Sequence, residues 1–102
     1  MDRVKENISN MQKKLKLFRQ VFDVSIILFA EIIGVTRQTI YNIENEKTVL
    51  TKTQYLAICQ TLRSLLNKNP DKYTIVKNIW ESDYDFTFEA LFEEIPEFDR
   101  EL

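Results

Sequence analysis

The stretch Val24-Ser-Ile-Ile-Leu-Phe-Ala-Glu-Ile-Ile-Gly-Val-Thr-Arg-Gln-Thr-Ile-Tyr-Asn-Ile-Glu-Asn45 decides the fold of this chain. Ser25 suits the start of a helix, because its hydroxyl can accept a bond from an orphan backbone N–H of the first turn. The apolar run Ile26 to Ile33 follows it. Gly34 ends that run, since glycine adopts the left-handed conformation without steric penalty. Thr36 is the next N-cap, and a helix is predicted from Arg37 to Asn45. Small Ala30 lets the two helices approach closely, and Val35 fills the corner between them. Two short helices therefore meet at the tight turn Gly34-Val35-Thr36.

Outward from this centre, apolar spacing predicts three or four more helices. Ile8, Met11, Leu15, Phe18 and Phe22 recur at helical intervals, with Lys13, Lys14, Lys16 and Arg19 between them, so a first helix is placed over Ile8 to Phe22. Val4 would extend its stripe toward the start. A fourth helix runs from Lys52 to Leu66, opened by Thr51 and Gln54 as a capping box. Its apolar face includes Tyr55, Ile58, Cys59 and Leu62. Asn67 to Asn69 reads as a polar link ending at Pro70. A fifth helix is expected over Asp71 to Glu81 and a sixth over Thr87 to Ile95, stopped by Pro96. Glu97 to Leu102 read as a frayed end. One glycine and two prolines in 102 residues argue for helices on short turns rather than for strands.

The formal net charge of −2 hides an asymmetry. Residues 1–66 carry 10 Lys and Arg against 6 Asp and Glu, whereas residues 67–102 carry 4 against 10. A mildly basic body is thus followed by an acidic extension rich in aromatic residues. No apolar run approaches the ~20 residues needed to span a bilayer. Met1 to Asn10 is polar and mixed in charge, unlike a signal peptide. The expectation is a soluble cytoplasmic protein. With no histidine, the usual catalytic triads and zinc motifs are absent, and no enzyme is expected. Cys59 reads as a core residue. Asp83, Asp85 and the nearby glutamates lack the glycine a calcium loop needs, so no metal and no cofactor are expected.

Two helices joined in this way form a helix-turn-helix. At ~100° per residue, Ile40 and Ile43 on the second of them point inward. Gln38, Tyr41, Asn42 and Asn45 point outward, and Arg37 lies at the border. Glutamine and asparagine can each pair bidentately with the adenine edge, and arginine with guanine. The positive end of the helix dipole suits phosphate. An ordinary amphipathic helix would account for the polarity of this face but not for the turn that precedes it.

The segment from Met11 to Leu66 resembles the lambda-repressor-like, Cro/Xre-type helix-turn-helix domain. Leu15, Lys16, Phe18 and Arg19 match the family's opening Leu-Lys-x-Leu-Arg pattern, Phe29 and Ala30 match its Leu-Ala, and Gly34 to Lys47 match its turn and recognition helix nearly throughout. The resemblance implies an all-α fold, a five-helix helix-turn-helix domain over 1–66 with a C-terminal helical extension over 67–102. It implies binding to double-stranded DNA. Thr36 would cap the recognition helix and meet a phosphate. Arg37, Gln38 and Asn42 would read base edges, with Tyr41 and Asn45 near the backbone or a neighbouring base. Lys47, with Thr48 and Lys52, would meet phosphates beyond the helix. Arg19 would pair with Glu44 as a structural ion pair.

The departures are specific. Ile26 stands where the family places a glutamine that touches the DNA backbone, and Ile27 and Leu28 replace polar residues. Glu46 replaces a glycine, and Leu50 a common proline. Ile27, Leu28 and Ile32 exceed what one inward face of a short helix needs, so a second buried contact is expected there, made by the C-terminal extension or by a partner subunit. The extension itself reads as a dimerisation or partner-binding element. Two functions follow. The first is a transcriptional regulator, a repressor occupying a two-fold operator as a homodimer. The second is an antitoxin-like or protein-interaction module that keeps the helix-turn-helix shell and uses the second helix or the extension for a partner.

Overall fold

The structure, a computed structural model, describes residues 3–95. It is all-helical, with no strand among the described residues. The helices are α1 (Arg3–Val21), α2 (Ile26–Ile33), α3 (Arg37–Glu44), α4 (Lys52–Lys68), α5 (Tyr73–Glu81) and α6 (Phe88–Glu94). A single 3-10 turn, Pro70–Lys72, leads into α5. The expected stop at Pro96 and the frayed end at Glu97 to Leu102 lie outside the described residues.

Most boundaries follow from capping chemistry. Thr51 and Gln54 form the reciprocal capping box that starts α4. Thr87 caps α6 by accepting from the Ala90 N–H. Several boundaries differ from the sequence reading, two of them for reasons that bear on the packing. Helix α1 spans Arg3 onward rather than starting at Ile8, because buried Asn7 accepts from Tyr84 and exposed Arg3 pairs with Asp85, both in the extension. Helix α4 runs through the expected polar link, and Asn69 closes it by donating its side-chain amide to the Leu65 carbonyl at 2.9 Å.

The buried residues form one cluster. Met11, Leu15 and Phe18 of α1, Ile40 and Ile43 of α3, and Ile58 and Leu62 of α4 build its first half. Val76, Trp80, Phe88, Leu91 and Ile95 build the other half from beyond residue 66. Aromatic edge contacts knit that second half. Tyr73 meets Phe88 and Phe92 at 5.3 and 5.5 Å between centroids, and Trp80 meets Tyr84 at 5.4 Å.

Helix α1 divides the molecule. One side carries Arg3, Asn7, Asn10 and Lys14, which recur at helical spacing and all bind the extension. Lys14, only 8% exposed, donates to the carbonyls of Ile79 and Ser82 at 2.7 and 2.8 Å. Asn10 donates to the Trp80 carbonyl at 3.0 Å. The Tyr84 hydroxyl donates to the Asn7 side-chain carbonyl. Arg3 lies 3.1 Å from the Asp85 carboxylate and over the Phe86 ring. A cation and amide N–H groups at the end of α5 meet the carbonyls that every helix leaves unpaired at its C-terminus.

This arrangement corrects one half of an expectation, that the C-terminal extension covers the apolar surface of α2. The extension packs against α1, while α2 packs against α3 and α4. Ile27 and Leu28 remain 53% and 47% exposed. The physical reason is donor supply. The end of α5 needs N–H donors, which α1 provides and α2, whose polar side chain is the acceptor Glu31, does not.

Candidate nucleic-acid interface

The turn is built by backbone chemistry. Ser25 accepts from the Leu28 N–H at 3.1 Å and starts α2. Gly34 adopts φ 84°, so its own N–H and that of Val35 both reach the Ala30 carbonyl, at 2.9 and 3.0 Å. Thr36 then accepts from the Thr39 N–H at 3.1 Å and starts α3. Buried Phe29 and Ala30 of α2 and Ile40 and Ile43 of α3 hold the two helices together.

With Ile40 and Ile43 inside, the outer face of α3 presents Arg37, Gln38 and Tyr41 to solvent, and Asn42 half-buried among them. Gln38 donates its side-chain N–H to the Asn42 side-chain carbonyl at 3.0 Å. Asn45 turns its amide back onto the Tyr41 carbonyl at 2.8 Å. The Lys47 ammonium sits 5.1 Å from the Tyr41 ring centroid, a cation–π contact that holds it beside the helix. Thr36, Thr48 and Lys52 are exposed near this face in sequence, at the start of α3, in the following loop and at the start of α4.

The end of α3 is closed without glycine. Glu46 adopts φ 57°, the left-handed conformation that glycine favours. The Glu46 N–H bonds the Ile43 carbonyl at 3.1 Å, and the Lys47 N–H bonds the Asn42 carbonyl at 2.8 Å. These two bonds are the Schellman pair, formed on a glutamate.

Two groups from α1 lock α3 in place. Arg19 binds Glu44 through two hydrogen bonds, Nε to Oε2 at 2.8 Å and Nη2 to Oε1 at 2.9 Å. A third bond runs from Nη1 to the Val24 carbonyl at 3.2 Å, which ties the start of α2 to the same guanidinium. The side chains are 15% and 4% exposed, and the Glu44 hydrogen bonds raise the Arg19 pKa above its ordinary value. Gln12 is the second lock, and sequence reading missed it. Its amide donates to the carbonyls of Ile43 and Thr48 at 2.9 and 2.6 Å and accepts from the Leu50 N–H at 3.1 Å. All three partners are backbone groups far away in sequence, so no side-chain pattern announces them.

Cys59 is buried in α4, and burial pushes its thiol up to about 12. No helix among the described residues is long and apolar enough to cross a membrane.

A protein-family model described as helix-turn-helix matches residues 15–66, just over half of the chain. The chain therefore belongs to the Cro/C1-type, lambda-repressor-like helix-turn-helix family, a family of DNA-binding regulators. No curated protein and no solved structure matches it.

Proposed function

We propose that this protein is a sequence-specific regulator of transcription that lays α3 in the major groove of double-stranded DNA. Arg37, Gln38 and Asn42 read base edges in this account. Thr36, Tyr41, Asn45 and Lys47 sit at the sugar-phosphate backbone or a neighbouring base. The observation that carries the reading is the outer face of α3. It is rich in amides, exposed, and backed by a helix held rigidly through Arg19–Glu44 and Gln12. Amide side chains on a fixed helix suit base-edge recognition, because each offers a donor and an acceptor at a defined spacing. Repression by occupying a two-fold operator as a homodimer, with residues 1–66 reading DNA and 67–102 supporting assembly, completes the proposal.

The test is selection of genomic fragments at two salt concentrations, with Gln38→Ala and Asn42→Ala beside the wild type. Specific regulation predicts a few enriched fragments, affinity that falls steeply with salt, and reduced selectivity in both variants. A wild type that enriches no fragment contradicts the proposal.

A second reading is favoured by one observation. Ile27 and Leu28 leave an apolar surface on α2, where a partner protein would dock in an antitoxin-like assembly. Truncation is a poor test of assembly, because Val76, Trp80 and Leu91 share the core with Met11 and Leu15. The full chain carrying Ile27→Gln and Leu28→Gln keeps that core. A drop in solution mass relative to the wild type supports self-assembly through α2, and loss of a partner that co-purifies with the wild type supports docking there; an unchanged mass together with equal co-purification by both forms removes the reading.

A further inference from the structure

We propose that Gln38 and Asn42 read DNA as one coupled unit, and that the hydrogen bond between them sets which bases each accepts. The inference rests on the reading of α3 as the DNA-facing helix and adds a base code to it. Gln38 donates one amide N–H to the Asn42 carbonyl at 3.0 Å. A primary amide has two N–H groups and one carbonyl oxygen. The bond therefore leaves Gln38 one N–H and its whole carbonyl, an adjacent donor and acceptor. That pair matches adenine, which offers N7 as acceptor and N6–H as donor in the major groove. The stereochemistry is compatible, since pairing with adenine uses the N–H on the carbonyl's own side and leaves the opposite N–H for Asn42.

Asn42 is restricted in the complementary sense. One lone pair of its carbonyl is taken by Gln38, so its two N–H groups are what it offers most freely to the DNA. Donors select acceptor edges, guanine O6 and N7 or thymine O4, and disfavour cytosine, which presents the N4–H donor. Four residues of helix advance ~6 Å. The two contacts therefore fall one or two base steps apart, and the preferred site holds an adenine with a guanine or thymine beside it or one step further on. Nearby groups leave the pair undisturbed. Thr36 is engaged with Thr39, and Asn45 with the Tyr41 carbonyl.

The experiment is bound-sequence selection from a randomised duplex pool with the full chain and three variants, Gln38→Ala, Asn42→Ala and Asn42→Asp. The wild type is expected to enrich the adenine and its guanine or thymine neighbour, each by about tenfold. Gln38→Ala loses the adenine preference. Asn42→Ala loses both preferences, because Gln38 is no longer held. Asn42→Asp still accepts the Gln38 N–H but has no donor, so it retains adenine and exchanges the neighbour for cytosine. An Asn42→Ala variant that keeps the adenine preference overturns the coupling while leaving α3 as the reader. A wild type that enriches a sequence insensitive to all three variants overturns the base code. A wild type that enriches nothing removes the underlying reading of α3.

Discussion

Arg19 on α1 and Glu44 on α3 form a bidentate ion pair at 2.8 and 2.9 Å whose carboxylate is 4% exposed. The same guanidinium reaches the Val24 carbonyl, so one side chain fixes the recognition helix and the entry to α2 together. Arg19→Ala leaves Glu44 buried without its partner, which costs about 3–5 kcal/mol. Urea unfolding is the check. Replacing both residues, as Arg19→Met with Glu44→Leu, is expected to recover most of that loss, since no charge is then stranded. A single variant that unfolds at the wild-type midpoint contradicts this role.

Lys14 supplies the second prediction. Its ammonium binds two carbonyls at the end of α5 and lies 3.5 Å from the Asp83 carboxylate. Lys14→Met fills similar space but leaves those carbonyls without their donor. The expected loss is about 1.5–3 kcal/mol, the range for a hydrogen bond to a charged group. Lys16→Met, at an exposed position of the same helix, is the control and should fall within about 0.5 kcal/mol of wild type.

Glu46 holds φ 57° at the end of α3. A left-handed conformation costs a residue with a Cβ roughly 1–2 kcal/mol. Glu46→Gly relieves that cost but adds freedom to the unfolded chain, so the net expectation is a gain of about 1 kcal/mol in thermal or urea stability. The substitution also removes a negative charge next to Lys47, and tighter binding to any duplex at low salt should accompany it.

Acid should loosen the junction of α5 and α6. Glu81 accepts from Lys77 and from the Phe88 N–H, which hold its carboxyl below the ordinary value, and Lys77 lowers Glu89 as well. A carboxylate whose folded pKa is depressed contributes stability that is fully present above its unfolded value. That stability is lost as pH falls through the lower folded value. Trp80, the one tryptophan, donates to the Phe86 carbonyl in this junction. Its fluorescence should hold steady down to the ordinary carboxylate range and change below it, and Glu81→Gln should flatten that change. Over the same neutral range Cys59 should stay inert to thiol reagents in the folded protein and react on unfolding, since its thiol is raised to about 12.

Much of the fold was legible because its signals are local. Ser25, Gly34, Thr36, Thr51 and Thr87 each act within three or four residues of themselves, and the buried Ile40 and Ile43 lie on the period of a helix. The docking of the extension was not legible. It depends on Asn10 and Lys14 meeting backbone carbonyls, and on Asn7 accepting from the Tyr84 hydroxyl, all more than sixty residues away, and a lysine among lysines on α1 looks like solvated surface. Gln12 was hidden for the same reason. The apolar excess of α2 was visible, but not what would cover it, because Ile27 and Leu28 name a need for burial without naming a partner.

The account turns on α3 being the surface that meets DNA. Backbone amide chemical shifts of the full chain, recorded as a selected duplex is added, test this most directly. The account predicts shifts concentrated over Thr36 to Lys47, with Lys52 and the start of α2 affected less and α5 and α6 unmoved. Shifts confined to α5 and α6, with Arg37, Gln38 and Asn42 unchanged, would contradict it.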